Sequence, residues 1–361
     1  MSQSNQYSFT IARVKTWDAV IVGGGIIGLS LARELHRNQF RVLVLDRGQP
    51  GHEASYAAAG MLADSGEIPP AMQQLATLSA QMYPEFVREI QDESGDNVDL
   101  RPEGAIVFFD PDDPAECDGE VLSHEQVVEL EPELAISTRE ACFRNERSVD
   151  PRALTAALWK ATKRREIDIS SGAEVVEMLV TAGKVNGVRT AKTSYSAPII
   201  VNCAGAWSGA IPPLHFPTRP VKGQMLCMIG KQVLQHVVRT PDVYLVPRSD
   251  GRVVIGSTFE EAGFDKRTAV DTIQRLQHAA TSLMPALSEA RIHESWAGLR
   301  PATPDALPIM GETEIQGYFL ATGHFRDGIL LAPATALVMA QLIVGRTPEI
   351  DIAAFSPLRY S

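Results

Sequence analysis

The sequence predicts an α/β fold, α+β in part: a doubly wound parallel sheet with an antiparallel sheet inserted into it. Three observations predict it. A strand–glycine–helix–strand unit opens the chain between Ala19 and Asp46, and a second strand–glycine–helix unit begins at Tyr318. Between them, short strands broken by prolines and joined by tight turns read as an antiparallel sheet.

The first unit is the most informative. The apolar strand Ala19 to Val22 runs into Gly23-x-Gly25-x-x-Gly28, a helix is predicted from about Ile27 to Arg37, and a second apolar strand ends on Asp46. Gly23 permits the tight turn, Gly25 lets the backbone approach a pyrophosphate, and Gly28 lets the helix pack closely on the sheet. Phosphates would sit against the N–H groups at the positive end of the helix. Asp46 can accept hydrogen bonds from both hydroxyls of a ribose, and it would repel a 2′-phosphate, which argues against NADP. Glycine-rich turns also serve plain strand-to-helix packing, but strand, helix and acid at this spacing point to a dinucleotide. FAD and NAD are not separated by this unit.

Composition narrows the class. The 361 residues suffice for two domains or one elaborated domain, and 45% hydrophobic with 21% charged residues is ordinary for a globular protein. A net charge of −11 gives no support to a nucleic-acid partner. Cys117, Cys142, Cys203 and Cys227 have no metal-binding spacing and read as reduced thiols, so no metal site is expected. Residues 1–16 read as a polar, mobile N-terminal extension without signal-peptide character, which points to a cytoplasmic protein. The apolar run from Ile329 to Val344 carries Pro333 and Gln341 and is short of the ~20 residues a bilayer needs, so it reads as a buried helix.

The remaining elements follow in order. Small residues at Ser55, Ala57, Ala58, Ala59 and Gly60 leave room for something large and flat against the backbone, unless the stretch is simply a loop. Leu75, Leu78, Met82, Phe86 and Ile90 recur at helical spacing and read as core. Ala105 to Phe109 is a strand, and Ser123-x-x-Gln126 is a capping box that opens a short helix. Asp150-Pro151 is an N-cap with proline at the first helical position, which sets a helix to about Arg165. A hairpin turns at Ala182-Gly183. The strand Ile199 to Asn202 runs into the small-residue turn Cys203 to Ser208. Strands follow at Gln224 to Ile229, Val243 to Pro247 and Arg252 to Ser257, with Asp250-Gly251 at a hairpin tip, and Thr268 to Leu283 is an amphipathic helix.

Taken together, Gly-Gly-Gly-Ile-Ile-Gly, Ala-Ala-Ala-Gly-Met61-Leu, Pro-Val-Lys222-Gly-Gln, Tyr244-Leu-Val-Pro-Arg248, Trp-Ala-Gly-Leu-Arg300-Pro and Gly-His-Phe-Arg326-Asp-Gly-Ile resemble the D-amino-acid oxidase family of flavoproteins. Its glycine oxidases, which serve thiamine synthesis, are the nearest branch, and the likeness runs from about Trp17 to the C-terminus. The resemblance implies a Rossmann-type FAD-binding domain from residues 17–62, 150–215 and 300–361. It implies a substrate domain from residues 63–149 and 216–299, with an antiparallel sheet roofing the flavin. It also implies noncovalent FAD, held by Gly23, Gly25, Ile26, Ile27, Gly28, Asp46, Arg47, Ser55, Ala58, Ala59, Gly60, Met61 and Val175. Ala204, Gly205, Trp207 and the turn Gly323, His324, Phe325, Arg326, Asp327, Gly328 and Ile329 complete that set. The related enzymes that tether flavin do so through a cysteine near the C-terminus, and none follows Cys227 here.

The activity implied is oxidation of glycine, sarcosine or small D-amino acids by hydride transfer to flavin N5, with O2 reduced to H2O2 and an imino acid released. Arg300 offers a planar fork for a substrate carboxylate, and Tyr244 adds a phenolic donor. The alternatives are a structural ion pair for Arg300 and a core position for Tyr244. With Arg326 these are the candidate catalytic residues, and Met61, Phe259, Tyr244, Arg300 and Arg326 the candidate substrate wall. No side-chain base is required, so His324 reads as structural or flavin-contacting. Asp242 and Phe259 depart from the glycine oxidase pattern, where histidine and methionine are expected, which leaves substrate preference open. A homo-oligomer, a dehydrogenase with another electron acceptor and a flavin-binding sensor without turnover also stay open.

Overall fold

The computed structural model describes residues 16–66, 68–110, 117, 119–135, 139–231 and 234–360. The expected N-terminal extension falls, but for Thr16, outside them.

The parallel sheet has six strands in the order Ile309–Glu312, Tyr318–Thr322, Ile199–Asn202, Ala19–Val22, Val42–Asp46 and Asp168–Ser171. Only Ile309–Glu312 runs antiparallel to its neighbour. Val22 pairs with both Leu45 and Asn202, so the turns that follow these strands emerge at one edge. The chain leaves Ala19–Val22 to one side first and returns later on the other, which makes a topological switch point beside the glycine turn, the place where such sheets bind ligands.

Helices Ile26–Arg37, Gln73–Ser94, Pro151–Arg164 and Gly328–Ile343 share one buried cluster on one face of this sheet. A three-stranded sheet, Val175–Thr181, Lys184–Thr190 and Ser194–Ser196, covers the other face. Strands buried on both faces explain the unbroken apolar run Ala19–Val22. Gln73–Ser94 lies within the stretch expected to go with the inserted sheet, yet it packs against Gly328–Ile343 and Pro151–Arg164. Its apolar stripe is matched there: Leu75, Phe86 and Ile90 are buried in that cluster. The same contact solves a problem inside Gly328–Ile343. Pro333 has no N–H, so the Ile329 carbonyl loses its helical donor, and the Tyr83 hydroxyl donates to it at 2.6 Å. The Ser79 hydroxyl donates likewise to the Leu330 carbonyl. No described helix is long and apolar enough to cross a membrane.

The second sheet has eight strands: Arg291–Ala302, Arg219–Ile229, Arg252–Gly256, Tyr244–Pro247, Val237–Arg239, Ala105–Phe109, Glu140–Arg144 and Glu120–Leu122. All neighbours are antiparallel except Val237–Arg239 with Ala105–Phe109. Two features depart from the sequence expectation. The strand expected from Gln224 already begins at Arg219, and the twelve-residue strand Arg291–Ala302 was not foreseen. Pro220 pairs with Pro301. One lies near the start of its strand and the other on an edge strand, the two places where a missing N–H is tolerated. The capping box at Ser123, the Asp150 N-cap and the hairpin at Gly251 all form as expected.

Candidate active site

The two sheets enclose one cavity of about 710 Å³, within the ~300–1,000 Å³ usual for small-molecule sites. At one end the glycine turn supplies Gly23, Gly25, Ile26 and Ile27, followed by Asp46 and Arg47. Gly23 has φ +106°, and a Cβ there would collide with the Cys203 carbonyl. Gly28 is not on the wall. It lies beneath it, where a Cβ would collide with the Gly23 carbonyl, so its glycine permits the close helix–strand approach. Helix Ile26–Arg37 has Gly25 as its N-cap, with no side-chain cap of its own. Instead Ser55 accepts from the Ile26 N–H at 3.0 Å. The Asp46 carboxylate accepts from the N–H groups of Gly24 at 2.8 Å and Gly48 at 2.7 Å, which fixes it at the cavity wall.

The long side of the cavity is formed by Ser55, Ala58, Ala59, Gly60 and Met61. It is not a free loop: Gly60, with φ +83°, packs on the Val149 carbonyl and leaves no space for a Cβ. Opposite stand Val175, Ala204, Gly205 and Trp207. The Arg47 guanidinium lies 4.2 Å from the Trp207 ring centroid. The turn before helix Gly328–Ile343 contributes Gly323, His324, Phe325, Arg326, Asp327, Gly328 and Ile329. His324 is buried, its Nε2 lies 3.1 Å from the Thr335 hydroxyl, and burial pushes its pKa down to about 3, so the imidazole is neutral.

The eight-stranded sheet roofs the far end with Arg300 and Tyr244. Arg300 Nη1 donates to the Thr258 carbonyl at 3.1 Å and Nη2 to the Ser257 hydroxyl at 2.6 Å. Its guanidinium lies flat on Gly223, where a Cβ would come within 2.5 Å of two of its nitrogens. The Tyr244 ring lies in the same way on Gly256. No described carboxylate pairs with Arg300, so the structural ion pair is not formed. Burial and the neighbouring Arg326 charge lower the Arg300 pKa, with Tyr244 opposing. Burial raises that of Tyr244, which leaves the phenol protonated as a donor. Beside Tyr244, its strand partner Arg239 donates twice to the buried Glu146, a pair that no sequence pattern announced.

Phe259, expected on the substrate wall, is not there. It is 63% exposed outside the cavity and meets Phe325 edge-on at 6.0 Å, because the chain turns outward after Ser257. Asp242 stands on the cavity wall and pairs with Arg139 at 3.0 Å. Gly223 and Ser257 were missed as site residues. Gly223 stood within the block around Lys222, but its task depends on a strand pairing that only the fold discloses. The four cysteines are free thiols, and Cys203, on the cavity wall, has its pKa raised by burial. Among the described residues no cluster could hold a metal.

These surroundings fit FAD. A helix N-terminus and glycine backbone suit a pyrophosphate, the fixed carboxylate suits a ribose, and the wall of alanines and glycines admits a broad ring system. The sequence profile of the FAD dependent oxidoreductase (DAO) family matches residues 18–342. The chain is 33% identical to the glycine oxidase of Pseudomonas aeruginosa, over 94% of this chain and 98% of that one. It is 35% identical to the bifunctional protein ThiO/ThiG of Trichormus variabilis, over 96% of this chain and 55% of that one, and so spans about half the length of such relatives. The crystal structure of glycine oxidase from Geobacillus kaustophilus superimposes with a TM-score of 0.91 at 30% identity, over 95% of this chain and 98% of that one. With the glycine turn, Asp46 and the turn from Gly323 to Ile329 lining one cavity, this chain belongs to the DAO family of FAD dependent oxidoreductases.

Proposed function

We propose that the protein oxidises glycine and other small amino acids or amines, such as sarcosine and small D-amino acids, releasing an imino acid. The observation that carries this reading is Arg300, a cation without an acidic partner among the described residues, held flat in the cavity roof beside the Tyr244 phenol. A partly desolvated guanidinium favours an anion with two parallel acceptors, and a carboxylate provides them. When bound, noncovalently, at the walls that fit it, FAD would supply the hydride acceptor, with O2 as the electron acceptor and H2O2 as the second product.

What the chain contributes is position and field. Arg300 and Tyr244 anchor the carboxylate, and the hydrogen bonds from Arg300 to Ser257 and the Thr258 carbonyl keep the fork from turning away. The amino acid is thereby held by its carboxylate, and Arg326, whose charge is felt at Arg300, adds positive charge to the site. His324, whose pKa burial pushes down to about 3, is too weak a base to take a proton at neutral pH, and Tyr244, kept protonated, is a donor. A neutral amine can lose its α-hydrogen as hydride without one. The similarity to glycine oxidases and ThiO/ThiG proteins supports glycine as a substrate and a link to thiazole formation. Asp242 at the wall supports a preference among amines that differs from theirs.

The test is an anaerobic titration of the yellow protein with glycine, sarcosine and D-alanine. Bleaching of the flavin band, followed by peroxide when air returns, is the expected result. Bleaching without peroxide would move the reading to another electron acceptor, and a spectrum unchanged by all three would overturn it.

A further inference from the structure

Residues 257–269 leave the roof strand Arg252–Gly256 and lead into helix Val270–Leu283. Both ends are fastened to the roof. Glu260 and Lys222 exchange backbone hydrogen bonds of 2.9 Å, and the Ala269 N–H donates to Gln224 at 2.7 Å. The middle reaches across to the other sheet. Phe259 meets Phe325, the Phe264 ring stacks on Trp207 at 5.2 Å and 27°, and Lys266 pairs with Glu53 at 2.9 Å. All three partners line the cavity.

Phe259 and Phe264 are 63% and 51% exposed, so neither ring is there to fill a core. What they share is a cavity-wall residue beneath them. Trp207 sits in the short 3-10 helix Gly205–Ala210, whose backbone is fixed by hydrogen bonds from Asn202 and Ser208, while none of these bonds holds the indole itself. Its indole is held by the Arg47 guanidinium and the Phe264 ring.

We infer that residues 257–269 form a strap that ties the roof to the cavity-wall residues Phe325, Trp207 and Glu53, in which Phe264 is a positioning residue that holds the Trp207 indole in place for the cofactor. The inference rests on the FAD site and not on the choice of substrate. Without Phe264 the indole regains rotamers that FAD binding must remove, and an aromatic contact is lost. An aromatic pair of this kind corresponds to about a two- to tenfold change in an equilibrium constant. The Lys266–Glu53 pair is half-exposed, so its loss changes binding by less than about twofold.

The experiment strips FAD from the wild type and from Phe264→Ala, Phe264→Tyr and Lys266→Gln, then titrates FAD back while following flavin fluorescence and the melting temperature of each FAD-free protein. The expected result is a two- to tenfold weaker FAD Kd for Phe264→Ala with an unchanged FAD-free melting temperature, and recovery in Phe264→Tyr. A wild-type Kd in Phe264→Ala overturns the inference, as does a weakening that merely follows a fall in melting temperature. If Phe264→Ala does not fold, wild-type protein with and without FAD is digested by trypsin, which can cut after Lys266 and Arg267. Slower cleavage there with FAD supports the strap, and equal cleavage overturns it.

Discussion

The two ends of the cavity are built from different materials. The glycine end is made of backbone: Gly23 and Gly28 stand where a Cβ would strike a carbonyl, a helix N-terminus faces the cavity, and Asp46 is pinned by two N–H groups. The roof end is made of side chains. Arg300 and Tyr244 project from strands far apart in sequence, over Gly223 and Gly256 on two other strands. The contrast teaches that the cofactor end cannot change without changing the chain path. The roof can change its ligand by exchanging a few side chains on an intact sheet.

Arg300→Ala gives the sharpest break between the two ends. Removing one partner of a buried charged pair costs about 2–5 kcal/mol, so KM for glycine rises by roughly 30- to 4,000-fold while FAD content stays at the wild-type level. Steady-state kinetics and the flavin spectrum of the same preparation check it. An unchanged KM removes Arg300 from substrate binding.

Asp46→Ala reverses the pattern. Hydrogen bonds to a charged group contribute about 1.5–3 kcal/mol, so FAD Kd weakens about ten- to a hundredfold, whereas KM of the FAD-loaded fraction changes little. A variant that purifies fully loaded and keeps its FAD through dialysis takes Asp46 out of the site. Gly28→Ala acts on the frame itself. The added methyl meets the Gly23 carbonyl, and relieving that overlap costs about 1–3 kcal/mol, read as a lower urea midpoint together with lost FAD. If stability holds and only FAD is lost, Gly28 serves the ligand and not the helix–strand packing.

The same contrast explains what was legible in the sequence. Strand Ala19–Val22 was read to the residue and the helix after it to within one, because every constraint on them is local: a turn glycine, an apolar run, a terminal acid. The cap at Asp150 and the capping box at Ser123 were legible for the same reason. Strand Arg291–Ala302 was hidden because an edge strand is half-exposed, its alternation is irregular, and Pro301 argues against a strand. Helix Gln73–Ser94 was read as a helix, but one of its two packing partners is a helix more than two hundred residues later. Arg300 was found through the block around it, whereas Ser257 and the Thr258 carbonyl that hold it were not. Their role depends on where residue 257 ends up beside residue 300. Phe259 failed as a wall residue for the same reason.

The smallest effect expected tests the wall between the two ends. His324 has a folded pKa of about 3 against 6.5 for the free side chain, with burial as the cause. The folded state therefore binds fewer protons than the unfolded chain between these values, and stability falls as pH drops through this window. At pH 6 the loss relative to pH 8 is about 0.8 kcal/mol, and it grows toward pH 3. Urea unfolding of the wild type and His324→Asn at pH 6 and pH 8 isolates this contribution, since the other titrating groups are common to both. The variant loses about 0.8 kcal/mol less than the wild type between the two conditions. If both lose equally, His324 takes up a proton in the folded protein. The turn after Tyr318–Thr322 would then carry a cation beside Arg326, and this wall would belong in character with the charged roof and not with the backbone-built end.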